Sequence, residues 1–134
     1  LTCIRVYLQN TKMKLRILNN TIRLRLSQSE LEVLKSEHQV SGKTIFMNSE
    51  FIYSLIISDS EEDVSAEFEK GHLKVKLEKK LAGNWIEGDL TGLSNKDTSS
   101  LSILVEKDFQ CLHKRPNEDE TDSFPNPLAE TYNA

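Results

Sequence analysis

Two side chains capable of soft-metal or nucleophilic chemistry stand close together late in the chain, Cys111 and His113, within EKDFQCLHKRPNEDETDSFPNP at 106–127. On an extended backbone side chains alternate, so Phe109, Cys111 and His113 project to one side. A thiolate and an imidazole would meet a metal there, with Asp119 or Asp122 as a third ligand. The spacing argues against this, because a single Cys-x-His lacks the paired ligands of zinc sites. An unpaired cysteine after the apolar run LSILV is more often packed than reactive. Neighbours at i and i+2 also rarely present the geometry that a nucleophile and its base require. No glycine-rich phosphate loop, H-E-x-x-H or oxyanion-hole motif accompanies them. The sequence therefore assigns no catalytic residue and no cofactor. A small metal-dependent or phosphate-ligand enzyme using Cys111, His113 and the nearby acids stands as the alternative to a noncatalytic binding protein.

The more distinctive chemistry is cationic. KLRIL at 14–18 and TIRLRL at 21–26 alternate with period two on either side of Asn19-Asn20, a dipeptide that tolerates positive φ and suits a two-residue hairpin loop. That loop fixes the register, with Ile17 opposite Ile22, Arg16 opposite Arg23, Leu15 opposite Leu24 and Lys14 opposite Arg25. Four cations then share one face in two opposed pairs, each pair costing roughly 0.2–1 kcal/mol. A second hairpin, VSAEFE and HLKVKLE across Lys70-Gly71, behaves differently: its register sets Glu67 opposite Lys74 and Glu69 near His72, a self-compensating face. The first hairpin is expected to be relieved by water and salt, by a bound anion, or by acids elsewhere in the chain. Glu118, Asp119, Glu120 and Asp122 form a dense acidic run, and Phe124 beside the stiff Pro125-Asn126-Pro127 would anchor it. Lys14, Arg16, Arg23 and Arg25 are accordingly the candidate anion-binding residues, and the acidic run their candidate intramolecular partner.

Charge along the chain repeats this division. Of 134 residues, the first 25 hold six cations and no acid, and the remaining 109 hold 11 cations against 21 acids. The acidic remainder, a pI near 5.4 and the lack of aromatic residues interleaved with the cations argue against nucleic acid. A small anionic ligand or a protein partner remains. No apolar stretch approaches the roughly 20 residues of a membrane-spanning helix, and LTCIRVYLQNTK lacks the features of a signal peptide. Two cysteines, Cys3 and Cys111, make no disulfide framework. A cytoplasmic, reducing location is expected.

The elements that would position these groups read as α+β. Ser27 and Ser29 each precede a glutamate by three residues, and Leu31 and Leu34 follow at helical spacing, which predicts a short helix over 28–37. Strands are expected at 43–48 and 51–58, the latter apolar on both faces and hence central. SDSEED at 58–63 reads as a solvated turn, and the second hairpin follows it. A strand at 85–88 around Trp85, a polar loop over 88–100 and a last strand in LSILVEKDF come next. The sum is a twisted antiparallel sheet of about six or seven strands, or a partly closed barrel, with one helix and the Trp85 loop on one face. The domain is expected to span 13–127, with 1–12 as an upstream extension and 128–134 as a tail.

MKLRILNNTIRLRLSQSE at 13–30 and VEKDFQCLHKRPNEDETDSFPNP at 105–127 together resemble a family of small uncharacterised bacterial proteins. Those proteins open with M-K-x-R-x-x-x-N-x-x-R-x-R-L and close with E-K-D-F-x-C-L, an acidic E-D and F-P-N-P. The resemblance covers some 41 residues closely and extends from Met13 to about Pro127. It implies membership of that group and carries no assigned activity.

Overall fold

The computed structural model describes residues 12–95, 100–109 and 122–127. Among these the chain forms β1 (Lys14–Leu18), β2 (Thr21–Leu26), α1 (Gln28–Glu37), β3 (Gln39–Ile45), β4 (Glu50–Ser58) and β5 (Val64–Glu69). There follow β6 (His72–Glu78), α2 (Lys79–Glu87), β7 (Gly92–Ser94) and β8 (Ser102–Lys107). The strands make two four-stranded sheets, ordered β1-β2-β8-β7 and β3-β4-β6-β5. The α+β class is as expected, but the single antiparallel sheet is not. Both sheets are mixed, because β2 runs parallel to β8 and β4 parallel to β6, and no barrel closes.

The two hairpins obey the registers their turn residues dictate. Asn19 takes φ 51° and the Lys70-Gly71 pair takes 50° and 78°, so each two-residue turn twists with its strands. Arg16 pairs with Arg23 and Lys14 with Arg25, while Glu67 pairs with Lys74 and Glu69 with His72. What local alternation does not encode is which distant strand comes next. Strands β2 and β4 each carry a hairpin or meander neighbour on one side and take a parallel partner on the other. Such a partner returns only after a long connection.

The helix α1 starts as expected, with Ser27 and Glu30 forming a reciprocal capping box. It ends at Glu37, and His38 takes the left-handed C-cap conformation. The segment around Trp85 is corrected from strand to helix. Leu81, Ala82, Trp85 and Ile86 repeat at helical spacing, and the Glu78 carboxylate accepts from the Lys80 and Leu81 amides at 2.6 and 3.1 Å. Gly83 and Asn84, poor helix formers, disguised that period. The 88–100 loop likewise contains the short strand β7.

The core lies where the inner faces of both sheets meet the helices. Leu24, Leu26 and Val105 come from the first sheet, Leu55, Val75 and Leu77 from the second, Leu34 from α1, and Ala82 and Trp85 from α2, all fully buried. Tyr53 lies against Gly42 so closely that an added Cβ would sit 2.3 Å from its ring, and its hydroxyl donates to the Met13 carbonyl at 2.8 Å. That packing leaves the opposite face of the first sheet, including the cationic side of β1 and β2, directed to solvent.

Candidate anion-binding face

Alternation along β1 and β2 sends Leu15, Ile22, Leu24 and Leu26 inward, and Lys14, Arg16, Arg23 and Arg25 outward. The four cations therefore share one surface, and a hollow of ≈ 180 Å³ is walled by Lys14, Leu15, Arg16, Arg23 and Arg25. Two acids absent from the sequence expectation partly compensate them. Glu106, opposite Arg25 in the parallel β2/β8 register, accepts from Arg25 Nε at 2.7 Å, with Arg23 Nε at 3.6 Å. Asp108, just beyond β8, lies 3.1 Å from Lys14 Nζ. No ion pair is formed by Arg16 among the described residues, and it is exposed. The compensating signal was the E-K-D alternation on the last strand; seeing it required knowing that β8 lies beside β2.

Asp122 and Phe124 are held elsewhere on the domain, beside this face. The Asp122 carboxylate accepts from the Ser29 amide at 3.2 Å and from the Ser29 hydroxyl at the start of α1, and its carbonyl accepts from the Gln28 amide at 3.1 Å. Partial burial pushes this carboxyl up. Hydrogen bonds from Ser29 and Ser27, with the Lys12 charge, outweigh that and hold it below the usual aspartate value. Phe124 donates its amide to the Asp108 carbonyl at 2.7 Å, its ring meets Phe109 at 5.8 Å between centroids, and the Lys107 ammonium lies 5.5 Å from it. Phe109 and Asp122 are thus both fastened at the Lys14 and Asp108 end of the basic face. Cys111, His113, Glu118, Asp119 and Glu120 lie outside the described residues. Among those described, no group of three or more His, Cys, Asp or Glu side chains is placed to hold a metal.

Sequence reasoning also missed a buried polar chain on the outer side of the second sheet. Ser41 Oγ and Ser54 Oγ are 2.6 Å apart, and Ser54 Oγ is 2.7 Å from His72 Nε2. Burial, then the nearby Lys74 charge, pushes the His72 imidazole down. A neutral ring can accept the Ser54 proton, so the chain is satisfied without an ion. Ser54 is 2 % exposed, which suits it to holding strands together rather than to attacking a substrate.

Among the described residues, two four-stranded mixed sheets and two helices make an α+β domain whose first sheet carries a cationic outer face. The chain belongs to a family of unknown function, DUF7009, whose model matches residues 13–128. No curated protein matches it.

Proposed function

We propose that the protein is a noncatalytic binding module whose basic face on β1 and β2 takes carboxylate groups. The observation that carries this reading is the unshared Arg16 directly across the ladder from Arg23, at the edge of a hollow whose polar wall is wholly cationic. Glu106 supplies the precedent for the ligand, since one carboxylate already serves Arg25 and Arg23 on this surface. Arginine suits the role because its fork of donors matches a carboxylate and remains charged at every working pH.

The acidic run Glu118, Asp119 and Glu120, outside the described residues, is the intramolecular competitor that this reading proposes for the face. Its two anchors, Phe109 and Asp122, support this, since both are tied to the Lys14 and Asp108 end of the face. A partner rich in carboxylates would displace it.

The test is calorimetric titration of the full chain with a hexaglutamate peptide at low salt. Neutralising the cover by Glu118→Gln, Asp119→Asn and Glu120→Gln should raise affinity by about tenfold, equivalent to ~1.4 kcal/mol, and added salt should lower it in both proteins. Affinity unchanged by neutralisation would end the self-covering part of the reading. Absence of any binding by the neutralised chain would end the reading itself.

A further inference from the structure

Among the described residues each sheet has two outer strands, β1 and β7 in the first and β3 and β5 in the second, and of these β1 and β5 carry opposite charge. An open edge is a row of backbone donors and acceptors ready to accept another strand. Both edges also expose large apolar side chains, Ile17 at 58% and Leu18 at 55% on β1, and Phe68 at 64% on β5. Their charges are opposite. Strand β1 presents Lys14 and Arg16, and β5 presents Glu67 and Glu69.

We infer that β1 of one copy of this chain pairs antiparallel with β5 of a second copy, so that the partner recognised by Lys14 and Arg16 is the acidic edge of another molecule. The inference rests on the carboxylate-binding role proposed above for these cations. Directly opposed residues of an antiparallel pair lie on one face, so the register can be tested residue by residue. Setting Arg16 against Glu67 brings Lys14 against Glu69, Leu15 against Phe68 and Ile17 against Ala66. Both charges then meet their opposites, Leu15 and Ile17 meet apolar partners, and Leu18 falls opposite Ser65. Sliding by two residues in either direction loses one of the ion pairs. Homotypic pairing gains no such ion pairs: β1 on β1 centred at Arg16 opposes two arginines and centred at Ile17 pairs no charges, while β5 on β5 centred at Glu67 opposes two glutamates. Charged side chains on an edge commonly discourage pairing, and here the charges of each edge are matched by those of the other. Glu67 already meets Lys76 of its own chain at 3.1 Å, an exposed contact that a desolvated arginine can replace. The pairing is head-to-tail, so it propagates into rings or open chains rather than stopping at a two-fold dimer.

Sedimentation velocity of the full chain over a rising concentration series tests this. The weight-average mass should climb above the monomer value at low ionic strength and return to it in about 1 M salt, where the screening length is ~3 Å. The double variants Lys14→Glu with Arg16→Glu, and Glu67→Lys with Glu69→Lys, should each weaken association about tenfold or more while keeping the folded circular dichroism spectrum. Mixed together, they should associate again, because each reversed edge then meets its complement. A wild-type chain that stays monomeric at every concentration overturns the inference, as does a mixture of the two folded variants that fails to associate. Hexaglutamate binding by the Glu67→Lys, Glu69→Lys variant separates this failure from that of the underlying reading, since its basic face is untouched. Retained peptide binding with no self-association removes only the partner; loss of both removes the face.

Discussion

Gly42 carries one of the clearest single-residue dependences in the fold. Any Cβ there would strike the Tyr53 ring, and the ring cannot yield without giving up its hydroxyl bond to Met13 and its stacking on Phe51, 6.2 Å away. Gly42→Ala should therefore destabilise the domain by about 1–3 kcal/mol, read from a denaturant midpoint, through overpacking rather than lost burial. His72 makes a second prediction at this scale. Its folded-state pKa lies below the ordinary 6.5, so the unfolded chain binds the proton more readily. Stability is then undiminished above pH 6.5 and falls as pH drops through that value toward the folded pKa. His72→Gln keeps a polar partner for Ser54 but does not titrate, and should flatten this part of the melting-temperature profile. An unaltered slope in the variant would assign the acid sensitivity to other groups.

At the scale of elements, α2 and the start of α1 offer opposite tests. Gly83 faces open space inside α2, so Gly83→Ala should stabilise by roughly 0.5–1 kcal/mol through helix propensity alone. At α1, Asp122→Asn removes a carboxylate held by Ser29 beside the positive helix end and should cost about 0.5–1 kcal/mol at neutral pH. Because that carboxyl is depressed in the fold, its contribution should vanish on acidification through its folded pKa, where wild type and variant converge. A constant difference between them at all pH values would assign the loss to geometry instead of charge.

Elements whose signals are local were legible in the sequence. Asn19-Asn20 and Lys70-Gly71 announced their hairpins because positive φ has few residue solutions, and Ser27 with Glu30 announced α1. The parallel partners were hidden, since nothing in TIRLRL says that SILVEK lies beside it. For that reason the basic face was readable in residue and register, while Glu106 and Asp108, which temper it, were not. The second helix was obscured by its own Gly83 and Asn84. Asp122 shows the remaining limit: an acid near a basic strand in a linear reading found serines and a helix end nearer still.

For the molecule as a whole, charge is divided between elements, cations on the outer face of β1 and β2 in the first sheet and acids on the edge strand β5 of the second. Met13 is 2 % exposed within the core, and the Lys12 amide just before it donates to Glu30. A chain beginning at Met13 should keep its melting temperature, its terminal ammonium lying near the Glu30 carboxylate. A fall of many degrees would make the preceding residues an integral part of the fold. The central claim is that Arg16 and its neighbours recognise carboxylates, and backbone amide NMR shifts on titration with hexaglutamate test it most directly. The account predicts perturbations at β1, at Arg23 and Arg25 on β2, at the adjoining Glu106 and at the displaced acidic run over 118–120, fading as salt is added. Shifts that map instead to Lys74 and Lys76 on the second sheet, or no shifts at low salt, would contradict it.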